Sequence, residues 1–193
     1  MRTKKTILSS LALGAALFLG GCSQPAKQEV VPSTTRVNAM VADWERAKKF
    51  TQAYLDSADD KTITFKLSDK TPRTFGGQLL HLAEANYGLV KPGAGAPSDI
   101  GFGSLDGKPE YVTKEAVSAA VNASYDYVIG ALKTMNDTQL MDTVSVELFP
   151  GFKVSMTKEG YFNKAFEHQT HHRGQATQYL RAQGKTPPQE MLF

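Results

Sequence analysis

Residues 166–175 read Phe166-Glu167-His168-Gln169-Thr170-His171-His172-Arg173-Gly174-Gln175 and hold three of the four histidines in a chain of 193 residues. At about 100° per residue, His168 and His172 differ by about 40° around a helix and stand one turn apart. Two imidazoles so placed reach one divalent ion, because metal–nitrogen bonds are about 2.0–2.1 Å. His171 competes on spacing, since residues three apart also share a face. The helix's own apolar stripe, Phe162, Ala165, Ala176 and Leu180, ranks them. On a helical wheel His172 lies about 50° from the middle of that stripe, His168 about 90° and His171 about 150°. His171 therefore points outward. Histidines four apart are more often solvated or capping residues than ligands, so spacing alone leaves both readings standing.

Working outward, this segment belongs to a helix predicted from about Lys158 to Gln183, stopped by Gly184 and kept from resuming by Pro187-Pro188. Three more helices are predicted. The first runs from about Val37 to Ser57, with Met40, Trp44, Ala47, Phe50, Tyr54 and Leu55 in threes and fours. The second covers about Thr74 to Val90, with Thr74 as N-cap, and the third about Lys114 to Asn136, after Thr113. Val117, Val121, Tyr125, Val128 and Leu132 form the third's stripe. Between the second and third lies a loop rich in glycine and proline, Lys91 to Val112, that reads either as a functional lid or as a surface insertion. Residues 142–156 alternate around Pro150-Gly151 and are expected to form a short hairpin or an extended crossover. Thr62 to Leu67 alternates too and is expected to pair with it. The fold class is all-α, a four-helix bundle with a short extended segment before its last helix.

A second segment joins the first. Thr74-Phe-Gly-Gly-Gln-Leu-Leu-His-Leu-Ala-Glu-Ala-Asn-Tyr87 contains Leu80-His81-Leu82-Ala83-Glu84, and residues 166–175 are followed by Tyr179-Leu-Arg-Ala-Gln-Gly-Lys-Thr-Pro-Pro188. Together, in helix order over most of residues 38–188, they resemble the DinB/YfiT-like family. Its C-terminal signature is His, three residues, His-Arg-Gly-Gln or similar, then Tyr-Leu-Arg, then Gly and Pro-Pro. Its earlier signature is Leu-x-His-x-Ala-Glu. The resemblance implies a four-helix bundle with a divalent metal held by His81, His168 and His172; His171 falls on a position the family does not use. His81 alone, at the edge of the stripe of Phe75, Leu79, Leu82 and Leu89, would read as a core-edge histidine.

Three neutral imidazoles suit zinc, nickel and other late first-row ions and leave positions open for water or substrate, the style of a catalytic site. Related families with this fold depend on low-molecular-weight thiols, so the resemblance implies a thiol co-substrate presented by the metal as thiolate. Gln175, about 20° from His168 around the helix, is a candidate to orient a ligand. Glu84, three residues after His81, reads equally as a hydrogen-bond partner of the imidazole or as a surface charge. Arg173 and Arg181 read as ion-pairing residues that position helices. Tyr87 and Tyr179 read as core or cavity lining. Similarity to the family also makes a homodimer an expectation.

The N-terminus carries a separate message. Arg2, Lys4 and Lys5 precede an apolar stretch, Ile7 to Phe18, and then Leu19-Gly20-Gly21-Cys22. The layout is that of an export signal, too short for a comfortable membrane span, and its ending resembles a bacterial lipobox. Residues 1–21 are thus expected to be a signal peptide, Cys22 a lipidation site, 22–36 a flexible tether and 37–193 the domain. An ordinary secretory signal with a chance cysteine is the other reading. Ser23, by resemblance to Gram-negative sorting patterns, suggests the outer membrane facing the periplasm. Cys22 is the single cysteine, which excludes an internal disulfide or a thiol nucleophile in the domain. The whole chain has 22 basic and 19 acidic residues; without the three basic residues of the signal the two balance. No basic cluster then remains to suggest nucleic acid. Three functions stay open: a metal-dependent transferase or hydrolase, a periplasmic binder of metal or small ligand, and a bundle that acts as an interaction module.

Overall fold

A computed structural model of the chain describes residues 31–193. Cys22, the expected signal peptide and most of the expected tether lie outside the described residues. The element order is α1 (Thr35–Asp56), α2 (Asp60–Ile63), α3 (Phe75–Ala94), α4 (Lys114–Lys133), α5 (Asp137–Leu140), β1 (Thr143–Phe149), β2 (Phe152–Thr157) and α6 (Lys158–Ala182). No described helix is long and apolar enough to cross a membrane.

The four long helices form a bundle whose directions follow from their side-chain pairs. Lys48 meets Asp126 and Gln52 meets Asn122, so α1 and α4 run antiparallel. Trp44 meets Phe166 and Tyr54 meets Thr177, so α1 and α6 run parallel. Gln78 meets Tyr179 near one end of α3, and Gly93 lies against Tyr161 near the other, so α3 and α6 are antiparallel. The helices α1, α3, α4 and α6 therefore run up, down, down, up. Trp44, Tyr125, Phe75, Phe162, Leu79, Leu82 and Leu132 are fully buried between them. Removing each such side chain from water contributes roughly 1.5–3 kcal/mol.

Local chemistry sets the helix ends. Thr74, Thr113 and Thr157 are N-caps whose side chains accept the backbone N–H of Gly77, Ala116 and Gly160. Each cap is worth about 1 kcal/mol. The bundle begins two residues earlier than expected, at Thr35, because Asp137 Oδ1 accepts the N–H groups of Arg36 and Val37, and Ser33 donates to Asp137 Oδ2 at 2.6 Å. Residues 33–36 are thus part of the bundle, not of a tether. The third predicted helix ends three residues earlier than expected: α4 stops at Lys133, and Asn136 opens α5 with a reciprocal capping box to Gln139. The second predicted helix runs four residues past Val90, through Pro92 in its last turn. The loop is accordingly 95–113.

Residues 142–156 take the hairpin alternative. β1 and β2 pair antiparallel, Val144 opposite Met156 and Val146 opposite Val154, across Pro150-Gly151. Gly151 has φ +81°, which the second central position of a Pro-Gly turn requires. The expected pairing of Thr62 to Leu67 with this hairpin does not occur. Asp59 accepts from Thr62 N as an N-cap and turns 60–63 into α2, and the described sheet contains β1 and β2 alone. Tyr161 ties the hairpin to the bundle: its hydroxyl reaches Val144 O at 3.1 Å and Val154 O at 3.3 Å.

Candidate metal centre

Antiparallel packing brings the middle of α3 against the middle of α6, and this sets His81 opposite His168 and His172. Ring centroids are 5.2 Å apart for His81–His168, 4.8 Å for His81–His172 and 4.5 Å for His168–His172. One nitrogen from each ring lies within 4.8 Å of the others. Two metal–nitrogen bonds span at most about 4.2 Å, so small ring rotations bring all three onto one ion. His171 packs edge-on against His172 and faces outward, away from this cluster.

Two of the three rings are held by partners that decide which nitrogen faces the centre. His81 Nδ1 lies 3.2 Å from Glu84 Oε2. Glu84 is buried at 1% exposure, which removes the surface-charge reading. Its other oxygen accepts the backbone N–H of Leu105 at 2.7 Å and of Asp106 at 2.9 Å. Burial opposes the charge on Glu84, but His81 and the N–H groups of Leu105, Asp106 and Gly103 outweigh it, and the carboxyl titrates at about 2. A carboxylate then makes Nδ1 of His81 the protonated nitrogen and leaves Nε2 its lone pair. His172 Nδ1 lies 2.7 Å from Gln78 Oε1. The orientation of that amide follows from the chain behind it: Gln78 Nε2 donates to the Tyr179 hydroxyl, which donates to Arg73 O. His172 therefore presents Nε2 as well. His168 makes no hydrogen bond among the described residues, and its Nδ1 is buried without a partner. A histidine left without a protein partner, beside two rings that each keep a lone pair, fits a bound cation, which would satisfy what the protein leaves open.

Charge states agree with that fit. Burial, reinforced by neighbouring His81, lowers His168 to about 4; burial, then His168 and His81, lowers His172 to about 3. Both rings are neutral near pH 7 and able to give a lone pair.

Other side chains depart from their expected places. Gln175 turns its amide nitrogen to His171 Nε2 at 3.0 Å rather than to His168. Arg173 is buried, yet no carboxylate lies within ion-pair distance of it or of Arg181 among the described residues. Arg173 instead stacks 4.5 Å over the Phe50 ring and donates to Gln169 Oε1 and Thr51 Oγ1. Tyr87 and Tyr179, by contrast, are buried, as a core or cavity-lining place requires. Sequence reasoning passed over Gln78, although it precedes His81 by three residues and so shares its face. It also passed over Phe102, from the glycine-rich loop, whose ring lies 5.8 Å from His81 and 6.5 Å from His168. Nothing local marks Phe102; only tertiary folding brings it there.

Space opens along the α3–α6 seam on both sides of the cluster. A cavity of about 500 Å³ has His168 in its wall beside the hairpin. Another, of about 370 Å³, has His172 in its wall with Arg73, Gln78, Gln175 and Gln178.

A comparison with curated proteins gave no match. Among solved structures, the crystal structure of a DinB-like protein from Bacillus cereus ATCC 10987 is similar, with a TM-score of 0.66 at 21% identity, over 79% of this chain and 96% of that one. That likeness speaks to the fold. The profile of the DinB family matches residues 33–191, nearly all of the described bundle. This chain belongs to the DinB family.

Proposed function

We propose that the protein is a divalent-metal-dependent thiol transferase of the cell envelope, acting on small electrophiles, with His81, His168 and His172 as the ligands of zinc or nickel. The observation that carries the reading is the convergence of three imidazole nitrogens within 4.8 Å of one another, with a cavity on either side. The family is generally metal-binding, which supports the first half of it. Bound there, a divalent ion would supply Lewis acidity and favour the thiolate of a coordinated thiol.

The chain's own residues prepare the site. Glu84 and Gln78 each fix a tautomer, so that His81 and His172 present an unprotonated Nε2 before a ligand arrives. Phe102 covers the His81 and His168 rings from the loop and limits water there. Gln175, in the wall of the polar cavity beside His172, is placed to meet the polar part of a co-substrate. Envelope location rests on the Leu19-Gly20-Gly21-Cys22 motif. Lipidation at Cys22 would leave the domain facing the periplasm from the outer membrane, and Cys22→Ser is expected to abolish fatty-acid labelling.

The test is turnover of a panel of low-molecular-weight thiols with a chromogenic electrophile. The expected result is activity that disappears on metal removal and in His172→Ala, with the helical circular dichroism of that variant unchanged. A metal-loaded protein that turns over no thiol of the panel would instead support a non-catalytic metal- or small-ligand-binding role.

A further inference from the structure

The cavity beside His168 differs in chemistry from its counterpart beside His172. Its walls are Leu89 from α3 and Leu148, Phe152, Val154 and Met156 from the hairpin; its charged groups, Lys164 and Glu167, are an exposed ion pair. At about 500 Å³ it has the size of a small-molecule site. The hairpin is shaped to build it. Alternation turns Val154 and Met156 toward the protein while Lys153 and Ser155 face water. On the other strand a bulge between Glu147 and Phe149 leaves Leu148 without a partner in the register, and Leu148 lines the cavity.

Three exposed aromatic rings extend the same surface. Phe152 and Phe149 are 6.4 Å apart, and Phe149 and Phe102 are 5.9 Å apart, at 55%, 52% and 41% exposure. Phe102 then meets His81 and His168. A row of solvent-exposed phenylalanines adds little to the fold and loses water contact only when something apolar lies on it. The row leads from the hairpin tip to the histidines.

From these observations we infer that the hairpin cavity takes the apolar body, alkyl or aromatic, of a small substrate whose polar head reaches the three histidines. The inference rests on the metal-site reading for the head, but not for the body. Polar and amide-bearing groups belong to the opposite cavity, with Arg73, Gln78, Gln175 and Gln178, so the two halves of a reaction mixture would enter from different sides.

The experiment compares acetohydroxamate with octanohydroxamate, two ligands with one chelating head, by calorimetry on the zinc-loaded protein. Each methylene buried is worth about fourfold in affinity. The longer ligand is expected to bind at least about tenfold more tightly. Val154→Arg, and separately the exposed Phe152→Ala, should remove most of that advantage while leaving the acetohydroxamate affinity unchanged. Equal affinities for the two ligands in the wild type would overturn the inference and leave the metal site intact. If neither hydroxamate binds because no zinc is held, the metal reading fails instead, and octanoate decides the cavity: binding to the purified protein that Val154→Arg abolishes supports it, and no binding overturns it.

Discussion

Glu84 Oε2 stands 3.2 Å from His81 Nδ1, and through its other oxygen the same carboxylate holds the backbone of the glycine-rich loop at Leu105 and Asp106. One buried side chain therefore sets both the tautomer of a proposed ligand and the position of the loop that carries Phe102. Asp106 adds a second tie, through Arg73 Nε at 2.8 Å. The loop is fastened at the site rather than draped over the surface.

Replacing Glu84 with Gln tests that link. An amide turned with its NH2 toward His81 forces the proton of that ring onto Nε2 and removes the lone pair facing the centre. Turned the other way, the NH2 meets two N–H groups. Glu84→Gln should lower metal affinity by about 10- to 100-fold in chelator competition. It should also speed amide hydrogen exchange at Leu105 and Asp106. Unchanged affinity and exchange would show that the carboxylate orients nothing.

Gln78 makes the corresponding prediction for α3's other partner. Gln78→Leu strips the acceptor from His172 Nδ1 and the donor from the Tyr179 hydroxyl, both buried. Leaving such groups unpaired costs about 1–3 kcal/mol. A urea titration should show that loss, with metal affinity falling about tenfold or more. Wild-type affinity in this variant would mean that His172 needs no partner.

Acid should destabilise the metal-free protein through the same rings. His168 and His172 titrate at about 4 and about 3 in the folded chain, against an ordinary value of 6.5. Between those values the unfolded chain binds more protons, so stability rises with pH. It is fully present above about 6.5 and lost as pH falls through about 4 and then about 3. Unfolding midpoints from pH 3.5 to 7 should climb less steeply in the His168→Gln, His172→Gln double variant than in the wild type. Identical slopes would contradict the burial of neutral rings.

Gly93 lets α3 pack directly against Tyr161 of α6. A Cβ there would lie 2.7 Å from Tyr161 Cβ and 3.0 Å from its ring. Gly93→Ala gains helix propensity of roughly 0.5–1 kcal/mol but overpacks the seam at about 1–3 kcal/mol. A net loss is expected, with Tm lower by about 2–4 °C per kcal/mol. Because Tyr161 also bonds both strands, exchange protection in the hairpin should drop with it. A raised Tm would show that the helices can separate without cost.

Much of this fold was legible in the chain because its signals are local. Apolar residues in threes and fours marked the long helices, Thr74 and Thr113 marked two of their starts, and Pro150-Gly151 marked the hairpin turn. What was misread depended on competition between local and distant bonds. Alternation in Thr62 to Leu67 yielded to the Asp59 cap, and Asn136, expected as the end of the third helix, instead caps a separate short helix. Arg173 reads from the sequence as a paired charge; among the described residues no carboxylate meets it, and a phenyl face and an amide take that place. At the centre, the helix's apolar stripe separated His172 and His168 from His171, while the facing of His81 rested on the family pattern. Gln78 and the loop's hold on Glu84 are properties of the packed bundle, and no spacing within one helix encodes the second.

The most direct measurement is metal content after purification and dialysis against chelator-free, metal-free buffer, by elemental analysis of the wild type and four single variants. The account predicts about one divalent ion per chain in the wild type and in His171→Ala, and its loss in His81→Ala, His168→Ala and His172→Ala with helical content preserved. Full metal content in His81→Ala, the ring contributed by the other helix, would contradict it.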